Sequence, residues 1–271
     1  MAQFIQAVMD HFEWGQYVLF SVVLGILALT EHFWPRRVTG EGCQGRRKVN
    51  LLLYGLGGLL MWWVAEPVQT AAVRLGTSLE WTGLAGSALP GVPKIVIGVL
   101  LVDAIQYLLH RASHSIPLLW RMHQVHHADA AFDVTTSVRH HPLEVAALAA
   151  LTLMLCAALG IPLVSLLLYA VFQLVHSAFC HANVAIPLRW DRRLRWVMVT
   201  PDMHRVHHSE RMDEGNSNFG MVFPWWDHLA GTYCVQPVLG HKDMHLGLAN
   251  DNDARPDGLW RALSQPFDKL P

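Results

Sequence analysis

The residues best equipped for chemistry in this chain are its histidines. Of 17, 12 fall in three stretches. The first runs from His110 to His141 and holds H-R-A-S-H, then W-R-M-H-Q-V-H-H, then R-H-H-P. The second is H-S-A-F-C-H at 176–181. The third, M-H-R-V-H-H at 203–208, repeats the H-x-x-H-H spacing of the first. Neutral imidazole is the commonest protein metal ligand. So many imidazoles beside apolar segments read as a metal site.

Helix geometry sharpens this. Positions i and i+4 differ by roughly 40° in azimuth and i and i+3 by about 60°. His110 and His114 therefore share a face, as do His123, His126 and His127, and His204, His207 and His208. Each cluster is expected to present two or three rings to one point. With His176 and His181 the set is ten imidazoles, more than a four-coordinate zinc site uses, and it suits two metals. No H-E-x-x-H motif is present and no glutamate lies inside the clusters, so a zinc-hydrolase base is missing. Imidazole alone does not choose among Zn, Cu, Fe and Ni. Asp103 and Tyr107, seven and three residues before His110, are expected to hold the far ring nitrogen of a ligand. Cys43, Cys156, Cys180 and Cys234 are scattered without a C-x-x-C pair and read as free thiols.

The elements that position these rings are apolar. Hydrophobic residues make up 52% of the chain and charged residues 15%, well under the roughly 25% of soluble domains. The apolar runs Tyr17–Thr30, Leu51–Val73, Lys94–Leu109, Leu143–Leu159 and Leu163–Phe179 predict about five hydrophobic helices, flanked by the interfacial aromatics Trp14 and Trp34. Glu66-Pro67 predicts a kink or early exit of the second helix, and 74–93 reads as a loop. Gly160-Ile161-Pro162 makes the last two helices a tight hairpin, whose 17-residue runs reach only ~25 Å. The N-terminus carries Asp10 and Glu13 and no basic residue, unlike a cleaved signal peptide. Of 20 Lys and Arg, all but Arg74 and Lys94 fall on one side of this topology. That side is cytoplasmic by the positive-inside rule, and every histidine cluster lies on it. Net charge is −1, which gives no argument for nucleic acid.

The motifs H-R-A-S-H, W-R-M-H-Q-V-H-H, R-H-H-P-L-E, F-C-H-A-N, T-P-D-M-H-R-V-H-H-S, N-F-G and W-W-D-H-L-A-G-T-Y, in this order over roughly 103–233, resemble the fatty acid hydroxylase/sterol desaturase superfamily. The resemblance implies a membrane-bound non-haem di-iron oxygenase that uses O2 to hydroxylate or desaturate lipids, with two irons that zinc can displace on overexpression. It assigns His110, His114, His123, His126, His127, His204, His207 and His208 to the histidine boxes and His181 to an F-x-H-x-N segment. His176 takes the place of a partner histidine that some members have upstream, with a spacing of H-x4-H instead of H-x3-H. His141, read as a support or a minor ligand, joins Asn183, Asp202, Asp103 and Tyr107 as an expected support of the ligands. His140 reads as packing, and Trp226, Asp227, Gly231, Thr232 and Tyr233 as stabilisers of the cap. His11, His32, His228, His241 and His245 have no box partner and read as surface or interface residues.

The expected fold is all-α: a multi-pass bundle of four to five hydrophobic helices with a cytoplasmic helical cap carrying a histidine-rich di-metal site. The expected organisation is an anchor at 1–93, a catalytic domain at 94–240 and a tail at 241–271. No flavin, nicotinamide, haem-attachment or iron–sulfur motif is present, so the electrons are expected from a separate ferredoxin or b-type cytochrome with its reductase. The partners are this donor and a membrane lipid, in a bacterial cytoplasmic membrane. The lipid, the carbon attacked and the oligomeric state are not fixed by these residues. Desaturation at the same centre is the alternative reaction. A membrane di-zinc hydrolase or a metal-binding or transport protein is the more distant reading.

Overall fold

The computed structural model describes residues 2–38, 43–78, 83–248 and 258–268. His11 and Trp14 have no described side chains, nor has Cys43, and Pro271 lies outside the described residues. The regular structure among the described residues is helical, apart from two isolated antiparallel bridges, Pro35 with Val184 and Ser209 with Leu246. Five apolar helices form the body: α1 (Ala2–Phe33), α2 (Cys43–Ser78), α3 (Gly91–Ser115), α5 (Pro142–Ala158) and α6 (Leu163–His181), with α4 (Pro117–His127) between α3 and α5. Of these α2, α3 and α6 are long and apolar enough to cross a membrane, while the apolar part of α1 (Val18–Phe33) and α5 are shorter.

Two boundaries differ from the sequence reading. The second helix does not exit at Glu66-Pro67 but continues through Pro67 to Ser78. An interior proline costs roughly 3 kcal/mol, and 36 residues of helix absorb one lost hydrogen bond. The third helix begins at Gly91 and runs to Ser115, so His110 and His114 belong to it. It stops where Ile116, preceding Pro117, is held extended (φ −97°, ψ 116°), and Pro117 then starts α4 at the position where its missing N–H costs nothing.

The helices alternate in direction, and both ends are tied. At one end Leu84 N–H donates to Leu159 O (3.2 Å) and Ala85 N–H to Gly160 O (2.7 Å). At the other, Arg36 N–H donates to Asn183 O (2.9 Å) and Ala185 N–H to Trp34 O (3.1 Å). Helices α3 and α6 approach closely at Gly98, where an added Cβ would stand 2.4 Å from Ser165 Oγ. Core residues Val102, Ile105 and Tyr169 pack around this crossing with Val222.

The cap is built from α7 (Leu188–Leu194), α8 (Pro201–His207), α9 (Met212–Gly215), α10 (Trp225–Ala230) and α11 (Gly240–Asp243). Thr200 caps α8 by accepting from Met203 N–H. The last described segment, α12 (Leu259–Ser264), packs Ala262 against Val49 and Leu53 of α2 and Val125 of α4. A buried polar network ties α2 to the loop after α4. Arg46 pairs with Asp129 and Asp133, Arg47 Nε donates to Asp133 (2.8 Å), and Arg139 donates to Asn50 Oδ1 (3.0 Å) and Val125 O (2.8 Å). Breaking one partner of such a buried pair typically costs about 3–5 kcal/mol, so the network fixes α4 relative to the bundle.

Candidate metal centre

Nine of the ten expected rings converge in two adjoining groups. His110, His114, His123, His127 and His207 form the first, and His126, His181, His204 and His208 the second; within each group the nearest ring nitrogens all lie within 4.8 Å of one another. The groups touch where the His127 and His208 rings stack with centroids 4.5 Å apart.

The H-x-x-H-H clusters do not each serve one point, as their shared helix faces suggested. Helix α4 gives His123 and His127 to the first group and His126 to the second. Segment α8 does the reverse: His204 and His208 face the second group and His207 the first. The reason is angular. An i, i+4 pair is separated by about 40°, but i+3 and i+4 by about 100°, enough to split one cluster between two centres. Helix α3 completes the first group with His110 and His114, and α6 the second with His181.

Six of the nine rings have their outward nitrogen committed, while Nδ1 of His204 and His208 has no hydrogen-bond partner. His110 Nδ1 lies 2.8 Å from Phe219 O, His207 Nδ1 2.8 Å from Ser217 O, His114 Nδ1 3.3 Å from Asn216 Oδ1 and His123 Nδ1 2.6 Å from Glu144 Oε1. In the second group His181 Nδ1 lies 2.7 Å from Ser177 O and His126 Nδ1 3.2 Å from Arg139 O. A carbonyl or carboxylate only accepts, so Nδ1 carries the hydrogen and Nε2 keeps a lone pair facing inward. The Nε2 atoms of His114, His123, His127 and His207 have no protein partner although buried. In the second group His126 and His181 present Nε2 to Nε2 at 3.2 Å, and His181 and His204 at 3.0 Å. For His126 and His181 that is lone pair against lone pair, which a shared cation relieves. Burial and the neighbouring imidazoles hold His126, His127, His204, His207 and His208 well below the ordinary histidine range, so protons do not supply that cation. The donor set thus fits metal ions.

Segment 216–219 supplies three of these acceptors from four consecutive residues. Asn218 makes this geometry: its φ of 51° is in the left-handed region, which asparagine tolerates better than most residues. Its side chain is tied to Met203 O (3.1 Å), Cys234 O (2.9 Å) and Cys234 N–H (2.9 Å). Asp227 accepts from Phe219 N–H and Gly220 N–H, each at 2.8 Å, and burial pushes its pKa up to about 6. Glu144, Asn216, Ser217 and Asn218 were not singled out by sequence reasoning. Glu144 stood in R-H-H-P-L-E and Asn218 in N-F-G, but motif membership did not state what they touch.

The structure puts His176 outside both groups, buried with its ring against the backbone of Val199 and Met221. None of the five expected supports bonds a ring of the nine. Asp103 accepts from Tyr169 Oη–H and Trp226 Nε1–H, both at 2.7 Å; seven residues put it about 10 Å along α3 from His110. Tyr107 Oη meets Thr232 Oγ1 (3.0 Å). His141 caps α5 and faces Leu263 O (3.3 Å). Asn183 fixes the α1–α2 connection through Arg37. Asp202 pairs with Arg36 and Arg205. His140 stacks on His126 (4.3 Å, 9°) and reaches Glu144 Oε2 (3.3 Å). His241 is not at the surface but buried, 3.7 Å from Asp202.

Beside the centre, a cavity of 610 Å3 lies between α1, α2, α3, α5 and α6. Its walls include Gly55, Gly58, Leu148 and Leu174, and also His140 and Glu144, which touch His126 and His123 of the two groups. It has the size and largely apolar lining of a small-molecule site.

The described residues thus form a helical body with membrane-length helices and two histidine groups able to hold metal ions. Residues 95–232, half of the chain, match the model of the family described as fatty acid hydroxylase, and the chain belongs to that family. The ornithine lipid hydroxylase OlsE of Rhizobium tropici is 28% identical over 278 residues, covering 96% of this chain and 77% of that protein. The human (Homo sapiens) alkylglycerol monooxygenase is 29% identical over 132 residues, 49% of this chain and 28% of that protein. The methylsterol monooxygenase erg25B of Aspergillus fumigatus is 27% identical over 154 residues, 55% of this chain and 50% of that protein. The chain thus spans about three quarters of the first relative but half or less of the other two. No solved structure matches the chain.

Proposed function

We propose that the chain is a membrane-bound di-iron lipid hydroxylase, with the nine converging histidines as its metal ligands. The observation that carries this is the convergence of nine imidazoles in two groups, six of them held by an outward Nδ1–H bond and five, His114, His123, His127, His207 and His208, with a buried Nε2 that has no protein partner. His110, His114, His123, His127 and His207 would hold one iron, and His126, His181, His204 and His208 the other. When bound, the iron pair supplies O2 activation and removal of a hydrogen from a lipid C–H bond. In the net reaction one oxygen atom enters that bond and the other leaves as water, using two electrons and two protons. The electrons come from a ferredoxin or a b-type cytochrome with its reductase.

The chain's own residues do the positioning. Glu144 and the carbonyls of Phe219 and Ser217 orient the ligand rings. The 610 Å3 cavity takes the apolar part of the lipid up to His140 and Glu144. The similarity to an ornithine lipid hydroxylase over 96% of this chain and 77% of that protein supports an amino-acid-bearing lipid over a sterol as substrate. Residues 94–240 form the catalytic unit and 1–93 the anchor, with 241–271 as a tail, and the metal centre faces the cytoplasm. Lipid profiling of cells with and without the gene tests this: a hydroxylated lipid should be lost, with its parent accumulating. Desaturation is the second reading, because it begins with the same hydrogen removal. A zinc-loaded protein turning over without O2 would instead favour a hydrolase.

A further inference from the structure

Outside the metal centre, one surface joins aromatic, aliphatic and guanidinium groups. Its root lies deep. Asp103, about 10 Å along α3 from His110, binds Trp226 Nε1–H (2.7 Å) and Phe223 N–H (3.3 Å). The Phe223 ring meets Phe172 of α6 with centroids 6.3 Å apart, and Phe172 is nine residues, ~13.5 Å, before the end of α6. Segment 222–226 therefore runs down the side of α3 and α6. Phe172 is 40% exposed on a helix fit to cross a membrane, so it faces lipid.

From Phe172 the apolar surface continues outward. Phe223 stacks on Trp225 (4.5 Å, 6°). Trp225 Nε1–H donates to Trp196 O (2.8 Å), and Trp196 stacks on His228 (5.5 Å, 6°). Trp196 is 70% and Leu229 79% exposed. Helix α7 carries the exposed Arg189, Arg192 and Arg193. The guanidinium groups of Arg193 and Arg189 lie 5.2 and 5.9 Å from the Trp190 ring. A groove of 530 Å3 opens here, lined by Leu188, Arg192, Trp196, His228, Tyr233 and Gln236 among others, with no carboxylate in its wall. The nearby Asp191 is buried and paired with Arg195 (2.7 Å).

Tryptophan belongs at the bilayer interface, and arginine matches a phosphate with two parallel N–H donors. We propose that this groove binds an anionic phospholipid of the surrounding leaflet, with Arg192 on the headgroup phosphate and Trp196, Trp225 and Leu229 against its acyl chains. Continuity with the lipid-facing side of α6 favours a lipid over a docked protein. The inference rests on reading α3 and α6 as membrane-crossing, not on the reaction.

The test uses the full chain in neutral detergent and native mass spectrometry with phosphatidylglycerol and phosphatidylcholine. Wild type should prefer phosphatidylglycerol. Arg192→Gln should weaken that binding about tenfold, the scale of one charge-assisted hydrogen bond, and Arg192→Lys should restore part of it. Arg211→Gln, an equal charge change elsewhere on the cap, should have no effect, and lipid turnover in detergent should be unchanged in all variants. No preference in wild type, or equal loss in Arg192→Gln and Arg211→Gln, overturns the proposal. So does capture of an acidic electron carrier by Arg192 with no lipid preference. Absent turnover with the stated lipid preference would instead strike the hydroxylase reading.

Discussion

Glu144 Oε1 sits 2.6 Å from His123 Nδ1, with both side chains buried. The same carboxylate reaches His140 through its other oxygen at 3.3 Å. One side chain thus orients a proposed iron ligand and the ring that lines the cavity.

Replacing it should uncouple orientation from folding. Glu144→Ala leaves a buried imidazole N–H without an acceptor, and loss of such a support typically costs roughly 10- to 100-fold in metal affinity or activity. The expected result is that loss, with the protein still inserted in the membrane. Glu144→Gln, which keeps an acceptor oxygen, should fall between. Metal analysis and turnover on the same preparations check both.

The exchange of partners between α4 and α8 predicts which ion each histidine controls. His123→Ala or His207→Ala should empty the first position and His204→Ala the second, and each should abolish turnover. His245→Ala, whose exposed side chain belongs to neither group although its backbone pairs with Glu210, should leave activity near wild type. His241→Ala should also spare turnover, although its burial beside Asp202 should lower thermal stability. Iron content per chain, read with Tm, separates these outcomes.

Asn218 should be irreplaceable for a backbone reason as well as a side-chain one. Asn218→Ala pays for a left-handed conformation and strands its former partners, roughly 2–4 kcal/mol in sum. Asn218→Gly relieves the backbone term only. Thermal unfolding should rank wild type above Gly and Gly above Ala, and turnover should follow because the carbonyls of Ser217 and Phe219 lose their aim.

The cavity makes a prediction about Gly58. A Cβ there would meet nothing within 4 Å, yet helical glycine costs about 0.5–1 kcal/mol relative to alanine. The open width is therefore what the glycine supplies. Gly58→Ala should be tolerated or slightly stabilising, whereas Gly58→Leu should raise KM for a long-chain substrate and leave metal content unchanged. Equal kinetics for wild type and Gly58→Leu would place the substrate elsewhere.

The apolar helices and the histidine clusters were legible because each rests on local spacing: apolar run length for the one, 3.6-residue periodicity for the other. The division of each cluster between two centres was not, because periodicity gives a face and not the number of targets opposite it. The supports of the rings were misplaced for a related reason. Asp103 shares a stripe with His110, but shared azimuth says nothing of the rise that separates them. The true acceptors come from distant segments, Glu144 from α5 and the carbonyls of 217 and 219 from the loop after α9. Backbone carbonyls have no sequence signature at all. The helix does not exit at Pro67, because a long helix tolerates the one bond it loses.

Turnover under isotopically labelled O2, followed by mass spectrometry of the lipid, tests oxygen insertion into a lipid at this histidine centre. The expected product is heavier by one labelled oxygen atom. A product lighter by two hydrogens, with label only in water, would contradict it.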